Sequence, residues 1–325
     1  MSPPIPIIFT HMGDSRYLDI TMRMARYTGN QSLILIGDSV NKKYAKKNGW
    51  DFIDHSQLES RKLREFHSVF IPVSGRLHSN QRGALNWLRY VFERWFLVEE
   101  LCKSLNFKQF FHFDSDTLIL VNLTNHYESF QLLDGTTQCN DFCLNGWVTT
   151  SLLNDYTEFM ISIFRDTEYL NSQRSEFEKI NPTFAFTEMR AFDEFMRRAK
   201  KRYEVRHLAN LIRGFWFDDA LMQEHGFRMK RTLGGHRIKE LQGALSSGIY
   251  GFHERDGLVK FLSLNMSWLP LHYYIYVEKM FIATQKGVEL KPWNRASVIF
   301  QDFLDKALHP LRVLKNMLFR RFLRQ

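Results

Sequence analysis

The stretch "FFHFDSDTLIL", residues 110–120, sets two carboxylates, Asp114 and Asp116, inside an otherwise apolar run. Burying an ionised carboxylate is costly unless a cation or hydrogen bonds answer it, so packing alone does not account for the pair. The apolar flanks read as a buried strand, with Asp-Ser-Asp at its end. Side chains of extended backbone alternate with period two, so the spacing predicts both carboxylates on one face and Ser115 turned away. Such a two-pronged anionic site suits a hard divalent ion, Mg²⁺ or Mn²⁺, which takes oxygen ligands and shares them with substrate phosphates. The plainer alternative is an exposed loop with two solvated aspartates.

Upstream of this strand, "IPIIFT" (5–10), "SLILIGDS" (32–39) and "DFIDH" (51–55) read as short strands. Between them lie a helix over 16–29, with Leu18, Met22 and Ala25 on one face, and a short helix in "NKKYAKKNGW". A long helix is predicted over 80–105 from the spacing of Leu85, Leu88, Val91, Trp95, Val98 and Leu101. Strand–helix–strand alternation implies parallel pairing with crossover helices. In such sheets ligands sit beyond the carboxyl ends of the strands, where Gly37-Asp38 and Asp114/Asp116 both fall. The second half is less regular: a short strand and helix over 145–166, a helix over 186–201, and a strand with a polar turn within 246–262. The end, "HPLRVLKNMLFRRFLRQ" (309–325), reads as a basic amphipathic helix with Leu311, Leu314, Leu318 and Phe322 in one stripe.

A chain of 325 residues with 44% hydrophobic and 24% charged residues has the composition of a folded soluble protein. Its net charge of +9 favours anionic partners, among them nucleotides and acidic membrane surface. Three cysteines argue against a disulfide framework and suit a reducing cytoplasm. The N-terminus lacks the features of a signal peptide, and no run of 18 apolar residues marks a membrane span.

Several segments, in order, resemble the GT-A-type glycosyltransferases of bacteria, the nucleotide-sugar-dependent class with an Asp-X-Asp motif. They are the opening strand, the strand ending "LIGD", "FERWFLVEELCKSLNFKQFFHFDSDTLIL", "FCLNGWVTTSLLNDYTEFM", "MRAFDEFMRRA" and "YGFHERDGLVKF", which together span roughly residues 5–262. The resemblance implies an α/β fold with a Rossmann-like open, mixed and mainly parallel sheet flanked by helices. It implies a catalytic domain over 1–300, its nucleotide-binding half at 1–120 and acceptor-binding half at 121–300, followed by the helical tail at 301–325. The expected activity is a metal-dependent hexosyltransferase in polysaccharide biosynthesis. It would move a sugar from a UDP-sugar to a hydroxyl of a saccharide or lipid-linked glycan.

By the same resemblance Asp116 is the main ligand of Mn²⁺ or Mg²⁺, Asp114 binds metal or sugar hydroxyls, and His253 is the third metal ligand. Glu254, Arg255 and Asp256 follow that histidine where the family often has glycines. Thr10, His11 and Asp38 would hold the nucleoside, though Asp38 serves equally as a cap for the next helix. Arg89 and Arg94 are candidates for the diphosphate, and Asn145 and Gly146 for close approach of the donor sugar. Asp193 and Glu194 are the catalytic carboxylates, acting as base or charge stabiliser. Asp218-Asp219 beside Trp216 form a second acidic candidate. The tail would touch anionic lipid at the inner membrane face or pack on protein.

Two rival classes remain. A sugar-phosphate nucleotidyltransferase shares the fold and the metal, but usually carries a glycine-rich loop after the first strand, where "THMGDSRYL" has one glycine. A basic module binding nucleic acid or membrane surface is the other; no helix-turn-helix, zinc or RNP signature is present, so no nucleic-acid partner is expected.

Overall fold

A computed structural model describes residues 4–78, 84–232, 235–244 and 248–287. The amphipathic helix expected over 301–325, and the membrane contact expected of it, lie outside these residues. β1 (Ile7–His11) and β2 (Leu33–Gly37) are continuous apolar runs buried along their whole length, as strands covered on both faces require. α1 (Tyr17–Tyr27) joins them and buries Leu18, Met22 and Ala25, the predicted stripe. α2 (Lys42–Asn48) stops at Gly49, which takes the left-handed conformation at the C-cap, and leads into β3 (Asp51–Asp54). α3 (Arg61–Val69) begins at Ser60, whose hydroxyl accepts the Leu63 amide; α4 (Ala84–Ser104) then returns the chain to β4 (Gln109–Asp114).

Past this point come β5 (Thr117–Ile119), β6 (Gly135–Gln138), β7 (Cys143–Thr149), α5 (Thr150–Arg165), α6 (Thr167–Lys179) and α7 (Glu188–Ala199). Short strands follow: β8 (Val205–His207), β9 (Phe215–Phe217), β10 (Met229–Arg231), β11 (Arg237–Lys239) and β12 (Leu241–Ala244). β13 (Gly248–His253), β14 (Gly257–Asn265) and α8 (Leu271–Gln285) close the described chain.

The main sheet has seven strands in the order β3-β2-β1-β4-β7-β6-β8. All run one way except β7, which is antiparallel to both its neighbours. The fold is therefore mixed α/β with a largely parallel central sheet flanked by helices, as expected. The sequence reading did not anticipate the second sheet, β12-β13-β14-β5, with β9 alongside β14. Its strands are cut short by turns and carry polar residues, so their alternation is weak.

Alternation along the central strands sorts their side chains between two cores. Ile8, Ile34, Ile36 and Phe110 face the core lined by α3, α4, α5 and α7. Phe9, Leu33, Leu35, Phe111 and Phe113 face the other, which includes Leu18 and Met22 of α1. The period therefore directs His112 and Asp114 toward α4, whereas Ser115 falls on the opposite face with His11.

β7 is irregular at Asn145-Gly146. Gly146 has φ +85°, and the β6–β7 register shifts between Gly135 and Thr137. The Thr136 hydroxyl fills the gap, donating to the Asn145 carbonyl at 2.6 Å and accepting from the Trp147 amide at 2.8 Å. A Cβ on Gly146 would meet Leu208 Cδ2 and Thr136 Oγ1 at 2.6 Å. Gly146→Ala combines this overlap with a left-handed backbone, so it should lower stability by about 1–3 kcal/mol. A drop in the denaturant midpoint with unchanged slope is the expected reading.

Candidate active site

The carboxyl ends of β1, β2 and β4 lie side by side, because the register sets Thr10 against Asp114 and His11 against Gly37. On the α4 side, Thr10 Oγ1 is 3.3 Å from His112 Nε2, and the His112 ring lies against Trp95 at 4.6 Å. Burial, with Arg94 nearby, pushes the His112 pKa down to about 3, so this imidazole is neutral. On the other side, His11 Nδ1 is 2.8 Å from Ser115 Oγ. Burial lowers the His11 pKa against the opposing pull of Asp38.

Asp114 is one-third exposed and takes a charge-assisted hydrogen bond of 2.5 Å from Arg94 NH1. Desolvation pushes its carboxyl up, but the Arg94 guanidinium outweighs that and holds it below the ordinary carboxylate range. The other arm of Arg94 donates to Glu188 Oε1 at 2.9 Å. Glu188 is the first residue of α7 and buried. Desolvation lifts its pKa to about 7 despite the arginine. Arg94 thus spans two carboxylates and is itself buried.

The strand does not run on to Asp116. The chain turns at Ser115-Asp116 and enters β5, which belongs to the second sheet. Simple alternation across Asp-Ser-Asp is therefore corrected: Asp114 turns to α4, and Asp116 to the segment after β14. There Ser267 Oγ donates to Asp116 Oδ2 at 2.8 Å, and the Met266 amide donates to the Asp116 carbonyl at 3.2 Å. Asn265 Oδ1 fixes Ser267, accepting from its amide at 2.9 Å, and lies 2.6 Å from the same hydroxyl. Tyr17 and Tyr274 stack at 5.2 Å near Asp116, whose charge helps to raise both phenol pKa values. Asp116 Oδ1 is buried and has no hydrogen-bond partner among the described residues. Desolvation and the charge of Asp114 lift the Asp116 pKa to about 6.

His253 does not join this pair. β14 pairs with β13 at Gly257↔His253 and with β5 at Asn265↔Thr117, eight steps away, or roughly 27 Å of strand. The ring packs between Trp216 and Phe227, beside Gly226, and Nδ1 is 2.8 Å from Asp256. A Cβ at Gly226 would come within 2.6 Å of its Nε2, so the histidine fills a packing niche. Among the described residues, no three His, Cys, Asp or Glu side chains gather as a metal cluster.

The other expected residues divide in the same way. Asp38 lies at the β2 end, where its Oδ2 accepts the Gly13 amide at 2.8 Å and its Oδ1 is buried without a partner among the described residues. It does not cap α2 with its side chain; Asn41 instead accepts the Asp38 amide. Arg89 is exposed and paired with Glu93 at 2.8 Å. Asn145 is buried and satisfied, donating to Gln138 Oε1 and accepting the Gly146 amide, and the space beside Gly146 is filled. Asp193 is exposed, and Glu194 is held by Arg197 and Arg198 of its own helix. Sequence reasoning missed Glu188, Ser267 and Tyr17. Each sits on an element whose approach to Asp-Ser-Asp depends on tertiary packing.

Neither the protein-family models nor the curated proteins contain a match to the chain. Among solved structures it is similar to a cytidylyltransferase from Leptospira borgpetersenii serovar Hardjo-bovis, at 12% identity over 63% of this chain and 75% of that one, with a TM-score of 0.32. The PaToxG glycosyltransferase overlaps 61% of this chain and 73% of its own at 13% identity and a TM-score of 0.36. The glycosyltransferase GlyE of Streptococcus pneumoniae TIGR4 overlaps 64% and 46% at 12% identity and a TM-score of 0.32. Overlaps this slight bear on neither the fold nor the chemistry, which rest on the geometry above. No helix among the described residues is long and apolar enough to cross a membrane.

The raised Asp116 pKa has a thermodynamic consequence. A carboxyl whose folded pKa lies above its unfolded value lends stability in acid and loses it as pH rises through the folded value. In EDTA, Asp116→Asn should therefore have the higher denaturant midpoint at pH 7.5, with the gap narrowing between about pH 6 and pH 4. Arg94→Met should do the opposite at pH 7.5. It strands Asp114 and Glu188 without their counter-ion and should cost about 3–5 kcal/mol, partly recovered on acidification.

Proposed function

We propose that the chain is a GT-A-type glycosyltransferase that moves a sugar from a nucleoside-diphosphate sugar, most naturally a UDP-sugar, to a hydroxyl of a saccharide or lipid-linked glycan. One observation carries this reading. Asp116 keeps a buried oxygen without a partner among the described residues, next to a second carboxylate, at the carboxyl edge of a mainly parallel sheet. Two acids held this close raise each other's ionisation cost, and a divalent cation relieves it. The donor set fits Mn²⁺ or Mg²⁺, since hard cations use one or two carboxylates and complete their shell with water and phosphate oxygens. Asp116 would hold the ion, with Ser267 and Asn265 as the neutral oxygens beside it in place of His253. When bound, the ion supplies Lewis-acid charge to a departing diphosphate.

The neighbouring side chains have separable tasks in this reading. Arg94 is committed to Asp114 and Glu188, so it orients Asp114 as an ionised acceptor for ribose or sugar hydroxyls. Asp38 Oδ1 is free to accept a base N–H or ribose hydroxyl. His11 and Thr10 form the floor between these groups. The single glycine after β1, Gly13, favours transfer of a sugar over transfer of a nucleotidyl group, whose enzymes usually cradle phosphates with several glycines there. The chain's net charge of +9 suits an anionic or membrane-borne acceptor at the cytoplasmic face.

The test is a thermal-shift screen of UDP, GDP, CMP and dTDP sugars with and without Mn²⁺, followed by nucleotide-release assays. A UDP-sugar should raise the unfolding temperature only with metal present, and Asp116→Ala should abolish both that rise and UDP release. Turnover retained in Asp116→Ala would remove this residue from the mechanism. Pyrophosphate release from UTP and a sugar phosphate would instead establish the nucleotidyltransferase reading.

A further inference from the structure

The same sheet edge carries a second buried acid that the donor site does not use. β4, β6 and β8 run in one direction, so Asp114, Gln138 and His207 end on a common edge. With neighbouring strands about 4.8 Å apart, β8 lies roughly 14 Å from β4. The segment after β9 brings Asp218 and Asp219 to this end: Gln138 Nε2 donates to the Asp218 carbonyl at 3.1 Å, and Asn145 Nδ2 donates to Gln138 at 2.8 Å.

The two acids differ in how their charge is answered. Asp218 is fully buried and paired with Lys239, itself fully buried. Asp219 is 3% exposed, and both its partners use the same oxygen. The Cys139 amide donates to Oδ2 at 3.2 Å, and His207 Nε2 lies 3.3 Å from it. Oδ1 is buried and has no hydrogen-bond partner among the described residues. The Ala209 amide donates to His207 Nδ1 at 3.4 Å, which leaves the ring proton on Nε2, facing Asp219. His207 is therefore a donor in this pair, and the free acceptor is Asp219 Oδ1. The imidazole is 30% exposed, so the pair borders solvent. Its pKa is raised, first by the hydrogen bond to Asp219. Asp218 Oδ2 is also buried without a partner among the described residues, but its carboxylate is neutralised by Lys239 and fully shut from solvent, so Asp219 is the acid of the two that lies beside an exposed group.

We infer that Asp219 is the base that receives the proton of the attacking acceptor hydroxyl, with His207 and the Cys139 amide as positioning groups. This rests on the glycosyltransferase reading and gives it a stereochemical outcome. The acceptor O–H proton passes to Asp219 Oδ1 while its oxygen bonds to the anomeric carbon. The bond from that carbon to the diphosphate breaks, its electron pair leaves with the nucleoside diphosphate, and the configuration inverts. The base is thereby assigned to Asp219 in place of Asp193 and Glu194, whose surroundings are solvent and arginine.

The experiment measures UDP release from UDP-glucose, UDP-galactose and UDP-N-acetylglucosamine with MnCl₂, using water as acceptor, with and without sodium azide. Asp219→Asn should lose about 100-fold or more of the water-dependent release, the scale of a missing general base. It should keep the UDP-induced rise in unfolding temperature. Azide has no proton to remove, so it should restore UDP release and yield a glycosyl azide of inverted configuration. If Asp219→Asn does not fold, His207→Ala reads the same pair, with weakened release to water and retained release to azide. Wild-type activity in Asp219→Asn, or a loss that azide does not restore while UDP still binds, overturns this assignment alone. A wild-type protein that releases UDP from none of the donors, even with azide, overturns both the assignment and the donor reading.

Discussion

Arg94 holds one guanidinium against two carboxylates, Asp114 at the end of β4 and Glu188 at the start of α7. Either acid alone would be expensive to keep in these surroundings, and the arginine would be costlier still. Together they fix where the long helix α4 lies against the sheet and which way Asp114 points. The triad leaves Asp114 ionised and Glu188 close to neutrality in its titration, so the two acids play unequal parts. Asp116, only two residues from Asp114, lies outside this compensation. That inequality is the reason for proposing a cation at the turn.

Much of the first half was legible from residue pattern. β1, β2, α1 and β4 follow from continuous apolar runs, helical spacing and a closing glycine, because each is decided by contacts that repeat along the chain. The electrostatic problem posed by Asp114 and Asp116 was equally legible, since two acids in an aromatic run must be answered by partners or a cation. Their relative orientation was not. Period-two reasoning holds up to Asp114 and fails at the turn, where the chain leaves the main sheet at the end of β4 and enters the second at β5.

The assignments that depended on sequence order fared differently. His253 follows a strand as expected, yet the length of β14 carries it to the far end of its hairpin. Gly146 does adopt a conformation that favours glycine, but Leu208 and Thr136 occupy the space beside it. Glu188, Ser267 and His207 carry no local signature, because a helix start, a short turn and a brief edge strand gain meaning only from what packs over them. Asp219 was visible as one of a pair of acids; each keeps one unpartnered oxygen among the described residues, and what separates them is that buried Lys239 answers Asp218 whereas Asp219 lies beside the partly exposed His207.

The chain leaves the main sheet after β4, and directly after Asp116 β5 is stitched to β14 by Thr117↔Asn265, Leu118↔Leu264 and Ile119↔Ser263. The two sheets are thus welded at the very edge where a ligand would sit. A clamshell motion about that seam would tear strand pairing. Any opening and closing over a bound molecule would then fall to peripheral pieces, and Trp268, 93% exposed in a left-handed turn immediately after Ser267, lies at that seam. In a protein built this way, capture would resemble a latch swinging on a rigid frame, with the frame itself silent.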